Sequence, residues 1–340
     1  MGPFYWHSTS TAHKARLRNI SGNNMSIAQT SFTNGKKTKG KPSLSVLMPV
    51  YKNDPSRLLT ALAKEIGLPR NLPDLELVIV DDGSLMPELS KKIIAGIEAV
   101  NAPSKLITFE KNQGRAAARN TLIENSKGSY LLFLDSDMLP DSNHFLADWL
   151  EFINKTAPSI AYGGFSMLQA SKEPEYALAR ALASRIDCLN AVQRNARGPL
   201  AVATSNLVVR RDIMVEVPFD SDFVGWGWED VDWALRANIA DFSVVHVEIP
   251  ATHLGIDLDK DIMTKFQKAG PNFRHITNRH PEMLALDSTK AARLLAIFPA
   301  LDYVAPVVYW FATCKIWPIK IRSKAARLWR SIWAAISLRS

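Results

Sequence analysis

LELVIVDDGS, residues 75–84, is an unbroken apolar run that empties into two aspartates and a glycine. A run this short, rich in branched residues and closed by a turn signal, reads as a strand buried on both faces. Upstream, LSVLMPV (44–50) has the same character and ends at Pro49, and PSRLLTALAKEI between them has helical spacing. Downstream come a helix over about 86–100, the strand KLITFE (105–110), a helix opening near QGRAAARN, and the strand YLLFLDSD (130–137). Buried strands alternating with helices predict an α/β fold, a mostly parallel central sheet flanked by helices. Ligands of such sheets gather off the carboxyl ends of the strands. Here those ends carry Asp81–Asp82 and Asp135–Asp137.

The rest of the composition narrows the class. A chain of 340 residues, 47% hydrophobic, holds one large or two modest domains. Cys188 and Cys314 lie too far apart in sequence to suggest a disulfide framework or a zinc site, so a reducing compartment is expected. The N-terminal MGPFYWHSTSTAHKARLRN has no continuous apolar core of the secretory type, which favours the cytoplasm. Residues 1–42 carry seven Lys/Arg and no acid, and 290–340 carry nine against one, so the body between is acidic within a net charge of +8. Nucleic-acid binding is not expected, because its basic stripe belongs on the fold itself. Basic ends suit an anionic membrane surface. The arm 1–42, rich in Gly, Ser, Asn and Lys, is expected to be disordered.

No GxGxxG follows the first strand and no GxxxxGK[ST] occurs, so dinucleotide redox chemistry and P-loop phosphoryl transfer lack their phosphate cradle. Asp135 and Asp137, two apart at a strand end, can converge on one ion. Hard oxygen ligands suit Mg²⁺ or Mn²⁺, which complete their shells with substrate phosphates. WGWEDVDW (226–233) sets three tryptophans beside three carboxylates, aromatic walls around an acid or base.

The ordered series SVLMPVYKND, LVIVDDGS, NQGRAAARN, YLLFLDSDMLPD and WGWEDVDWALRA resembles the inverting glycosyltransferases of family 2 with the GT-A fold. The last motif is similar to the WGxED type of galactosyl, N-acetylgalactosaminyl and chondroitin-type transferases. The resemblance covers about residues 43–255 and departs from the family at Lys52, often Asn, and at Trp228, often Gly. It implies a metal-dependent enzyme that moves a sugar from a UDP-sugar to a hydroxyl of a lipid-linked or growing glycan. Asp82 would accept the uracil N3–H, with Asp81 bracing the turn, and Pro49, Val50 and Tyr51 would line the base and ribose pocket. Arg119, Asp135, Ser136 and Asn206 would contact nucleotide or donor sugar, with Arg115 a solvated neighbour. Asp137 would bind the metal with His253; His246, inside the apolar strand DFSVVHVEI, is the other candidate and reads more readily as a core residue. Asp230 would be the base that deprotonates the acceptor, and Glu229 would hydrogen-bond a sugar. Trp226 and Trp228 would stack on the acceptor, while Asp232, Trp233 and Arg236 read as helix surface, packing and salt-bridge residues.

The domain plan expected is therefore a basic arm (1–42), a catalytic domain (43–285) and a basic tail (286–340). The catalytic domain would have a nucleotide half (43–140) and an acceptor half (141–285), with a helical insertion over 165–199 on the acceptor side. Asp302, Pro299 and Pro306 interrupt the apolar stretch 294–313, so it reads as interfacial or core-packed and not as a span. In 321–340, Ile321, Ala325, Leu328, Trp329, Ile332, Trp333 and Ile336 share a face backed by basic residues, the pattern of a helix lying on a membrane. Six Lys/Arg between Lys315 and Arg330, at about 1 kcal/mol each, give at most roughly 6 kcal/mol of attraction to an anionic leaflet. Location on the cytoplasmic face of a membrane follows as the expectation. Two rivals stay open, a sugar nucleotidyltransferase and an inactive nucleotide- or glycan-binding scaffold.

Overall fold

A computed structural model describes residues 28–37, 40–68, 72 and 74–339. The chain divides into two compact units. The first takes the described residues up to Gln169, with Leu189–Ser221 and Trp233–Leu254; the second takes Ala170–Cys188, Asp222–Asp232 and the residues from Gly255 onward.

The described residues of the first unit form an eight-stranded sheet of β1 (Gln29–Thr33), β2 (Leu44–Val50), β3 (Leu75–Asp81), β4 (Ser104–Phe109), β5 (Tyr130–Leu134), β7 (Ile160–Tyr162), β9 (Asn206–Arg210) and β10 (Val244–His246). Their order is β1-β4-β3-β2-β5-β9-β7-β10. β2 to β5 pair in parallel, as does β10 with β7, whereas β1 and β9 run antiparallel to their neighbours. Alternation along the strands splits the core in two. Val46, Met48 and Val50 point into a cluster closed by helices α1 (Ser56–Ile66), α2 (Pro87–Ala99) and α4 (Phe145–Thr156). Leu47, Val78, Val80 and Phe133 point into the other, closed by α3 (Arg115–Glu124) and by Trp233. A second, three-stranded sheet orders β6 (Met138–Pro140), β11 (Ala251–His253) and β8 (Phe165–Ser166) as β6-β11-β8, just past the end of β5.

The basic arm is not without structure throughout, as its composition had suggested. Gln29–Thr33 adds to the sheet edge, pairing with Thr33 opposite Lys105, and Phe32 packs on the core. Asn34 anchors it through Nδ2 bonds to the carbonyls of Ala102 (2.9 Å) and Ile97 (3.1 Å). QTSFT brings together Thr30, Phe32 and Thr33, three residues that suit strands, in a short run that an average over 42 residues conceals. Residues 1–27 lie outside the described residues.

The second unit is helical. It contains α5 (Ala177–Ile186), the first turn of α6 (Glu229–Ile239), α7 (Asp259–Lys268), α8 (Gly270–Arg279), α9 (Asp287–Leu295), α10 (Leu301–Thr313) and α11 (Ile319–Arg339). The boundary expected at 285/286 is therefore not where the chain divides. Leu178 and Leu182 of α5 and Met263 of α7 bury against Val308, Trp329 and Ile332, so α10 and α11 complete a core that earlier helices began.

The membrane-facing stripe expected of α11 is likewise corrected. Trp329 and Ile332 of that stripe are buried in the unit's own core, and Ile321 and Leu328 are exposed. The inward line runs through Arg322, Ala326, Trp329, Ile332 and Ala335, one step round the helix from the expected face. Arg322 turns inward to bond Asp259 and to donate from Nε to the Ala312 carbonyl (3.0 Å). A buried guanidinium needs both partners, and that requirement sets the rotation of the helix.

Glu65 of α1 accepts the N–H groups of Leu146 and Ala147, both at 3.1 Å, where the first turn of α4 leaves them without helical partners. Replacing Glu65 with Ala should lower stability by about 1–3 kcal/mol, read as a fall in melting temperature. Glu65→Gln, which keeps one acceptor, should lose less.

Candidate functional site

The acids at the ends of β3 and β5 are held in different ways. Asp81 is buried and its Oδ1 accepts the Ser84 N–H (3.0 Å), bracing the turn. Gly83 in that turn has φ +67°, and a Cβ there would sit 2.3 Å from the Lys111 carbonyl carbon, so the position admits glycine alone. Asp82 turns its carboxylate onto the loop that opens α3. Oδ1 accepts the Gln113 N–H (2.6 Å); Oδ2 accepts the Gly114 N–H (3.0 Å) and the Asn112 amide (2.9 Å). Burial pushes the Asp82 pKa up, and the backbone donors pull against it.

Pro49, Val50 and Tyr51 close β2. The Val50 side chain lies in the core, not in a pocket, because alternation points it inward; its carbonyl accepts the Asp82 N–H (2.9 Å). Tyr51 is exposed, with Lys52 Nζ 4.9 Å from its ring centroid. Lys52 has φ +60° and donates its N–H to Ser84 Oγ (2.8 Å). The family departure at this position thus falls on a left-handed backbone, which asparagine tolerates and lysine resists.

Beyond β5, Asp137 Oδ2 lies 3.6 Å from His253 Nε2 and accepts the Asn53 amide at 3.3 Å. The small sheet makes this meeting, since β11 pairs His253 with Met138, the residue after Asp137. His246 sits elsewhere: it is buried, with Nε2 2.9 Å from the Gly198 carbonyl and its ring edge-on to Tyr162. Burial lowers its pKa to about 4. Arg119 is buried, with Nη2 3.7 Å from Asp135 Oδ1 and its guanidinium over the Phe219 ring. Ser136 is buried in the turn between β5 and β6. Asn206 corrects the expected donor contact. It is wholly buried, donating to the carbonyls of Gly164 (2.9 Å) and Ile249 (2.8 Å) and accepting from Trp149 Nε1 (3.2 Å), which consumes its amide in the core. Sequence reasoning passed over Asn53 and Asn112, although both follow strand ends, where polar side chains meet ligands.

In the second unit, the loop 224–228 is pinned by Asn272, whose amide donates to the carbonyls of Val224 (3.1 Å) and Gly227 (3.0 Å). Trp228 has φ +76°, so the second family departure also lies on a left-handed backbone. Its ring packs 5.2 Å from Phe273, and the Arg330 guanidinium lies 5.3 Å from its centroid. Trp226 packs on Phe266 at 6.4 Å with Lys265 Nζ 5.9 Å from its centroid. Both tryptophans are half-buried. Glu229 and Asp230 open α6, Glu229 buried and Asp230 half-buried. Asp232, expected among helix surface, packing and salt-bridge residues, is fully buried in an ion pair; Arg279 Nη1 lies 3.0 Å from each of its oxygens and His280 Nε2 3.1 Å from Oδ1. Arg236 is buried too, because this face of α6 turns inward with Trp233.

Residues 45–212 match the family model described as Glycosyl transferase family 2. Glycosyltransferase AglE of Haloferax volcanii is 30% identical over 210 residues, 61% of this chain and 65% of that protein. The putative teichuronic acid biosynthesis glycosyltransferase TuaG of Bacillus subtilis is 29% identical over 137 residues, 40% of this chain and 52% of its own length. The chain thus spans less than two thirds of either relative. Among solved structures, the mannosyltransferase PcManGT from Pyrobaculum calidifontis, in complex with GDP-Man and Mn²⁺, superposes with a TM-score of 0.56. It is 16% identical and covers 96% of this chain and 95% of its own, a likeness of fold.

Two outcomes test this geometry. Lys52→Asn should raise stability by roughly 0.5–1 kcal/mol by easing the left-handed backbone, measured by denaturant unfolding. The second concerns pH. With the His246 pKa lowered from 6.5 to about 4, the unfolded chain binds the extra proton between those values. Stability from this group is complete above about pH 6.5 and is lost as pH falls toward 4. Melting temperatures across that window should fall more steeply for the native chain than for His246→Gln.

Proposed function

We propose that this chain, whose residues 45–212 belong to glycosyl transferase family 2, moves a sugar from a UDP-sugar to a hydroxyl of a lipid-linked or growing glycan, with inversion. The observation that carries the reading is the approach of Asp137 Oδ2 and His253 Nε2 at 3.6 Å beyond the end of β5. A carboxylate oxygen and an imidazole nitrogen so close fit one divalent cation, and the chemistry of the set favours Mn²⁺ or Mg²⁺. A bound cation would stabilise the charge of the departing diphosphate as a Lewis acid.

The protein groups have the following proposed parts. Asp135 and Arg119 hold hydroxyls and phosphate of the donor beside the cation site, with Ser136 between the two aspartates. Tyr51 and Pro49 border the base, and Asp82 accepts the uracil N3–H through the lone pair that Gln113 leaves on Oδ1. Asp230 takes the proton of the acceptor hydroxyl as its oxygen bonds the anomeric carbon. The bond to the nucleoside diphosphate breaks on the opposite side, which inverts the centre. Glu229 hydrogen-bonds a sugar hydroxyl, and Trp226 and Trp228 cover its apolar face. The setting proposed is the cytoplasmic face of a membrane, where a lipid-linked acceptor resides.

Calorimetric titration of UDP with and without Mn²⁺ tests the donor half. Binding should require the metal and disappear in Asp137→Ala; GDP binding in place of UDP would remove the uracil role of Asp82. Failure of every nucleotide would leave the scaffold reading. In a transfer assay Asp230→Asn should lower kcat by about 10²–10⁴ with UDP affinity unchanged.

A further inference from the structure

α10 is apolar on both sides. Leu301, Ala305, Val308 and Ala312 face the core of the second unit. Tyr303, Val304, Val307 and Trp310, spaced at i, i+1, i+4 and i+7, face outward with relative exposures of 47–85%. The segment before it adds exposed Leu294, Ile297 and Phe298. A helix on a water-facing surface carries polar residues on its outer side. Here Asp302 is the one charge in the helix.

We propose that this outer face of α10, with the turn that leads into it, rests on an anionic lipid bilayer. The inference builds on the reading of a lipid-linked acceptor and moves the contact to α10, because α11 spends its tryptophans in the core. Two features select lipid over a second protein copy. Exposed Arg293, Lys315, Lys320 and Lys324 flank the patch, and from 290 to 340 Asp302 is the sole acid, so two copies would repel where an anionic surface attracts. Tyr303 and Trp310 are the ring types that settle at the headgroup level. The helix lies on the bilayer and does not enter it: 13 residues reach about 20 Å, against a hydrocarbon core of about 30 Å. Among the described residues no helix is long and apolar enough to cross a membrane.

Vesicle co-sedimentation of the full chain tests this. Phosphatidylcholine vesicles are compared with vesicles that also contain phosphatidylglycerol. The native chain should pellet with the anionic vesicles and stay largely in solution with the neutral ones. Val307→Glu and Trp310→Glu should each weaken the partition at least tenfold at unchanged melting temperature. Lys315→Ala and Lys320→Ala, at exposed positions outside the core, should weaken it about fivefold each, and added salt should do the same. The proposal is overturned if the native chain ignores anionic vesicles, if the glutamate variants sediment like the native chain, or if light scattering reveals a dimer that Val307→Glu dissolves without any vesicle binding. Nucleotide titration on the same samples keeps the two readings apart: vesicle binding without binding of UDP, GDP or any other nucleotide removes the transferase reading, and nucleotide binding without vesicle binding removes only this surface.

Discussion

The central strands have no face to spare, and that constraint organises the first unit. β2, β3 and β5 bury alternate residues into two separate apolar clusters, so a polar side chain within them would be stranded away from water. Polar chemistry is therefore pushed to the strand ends. Those ends need their own supports, because a run of acids without partners would repel. Asp81 satisfies the turn at Ser84, and Asp82 ties down the loop at Gln113 and Gly114. Asp135 faces Arg119, which leaves Asp137 with Asn53 and His253 as its neighbours at the rim.

Two positions trade backbone ease for a side chain. Lys52 and Trp228 both occupy left-handed backbone, a conformation that costs a residue with a Cβ on the order of 1 kcal/mol. At Trp228 the gain is visible: a ring in contact with Phe273 and Arg330 within a loop that Asn272 holds. At Lys52 it is an ammonium beside the exposed Tyr51 ring, at the edge of the proposed base pocket. Both departures fall on loops that border the proposed donor and acceptor sites, where added side chains meet ligands first.

The second unit shows how charge sets helix rotation. α11 has apolar residues around much of its circumference, so more than one face can turn inward. The Arg322 pair with Asp259 selects the face that buries Ala326 and Ile332 and leaves Ile321 and Leu328 outside. With the α11 tryptophans packed in this way, the continuous exposed apolar face of Tyr303, Val304, Val307 and Trp310 belongs to α10.

What the sequence determined by itself was whatever local pattern can carry. Unbroken apolar runs of strand length, separated by helical spacing, fixed the parallel sheet, and acids at the ends of those runs marked its rim. The ordered motifs pointed to glycosyl transferase family 2, whose model matches residues 45–212. The arm's short strand was hidden because five residues with a single apolar side chain, Phe32, are lost in a basic, polar average. Only the tertiary structure decided contacts between residues distant in the chain. It brought His253 to Asp137 through the small sheet and sent His246 to the core. It consumed the amide of Asn206 among Trp149, Gly164 and Ile249, and it buried Asp232 against Arg279 and His280. The physical reason is common to all four. The partner of a polar group is chosen by packing across many residues of separation, and no local period records that choice.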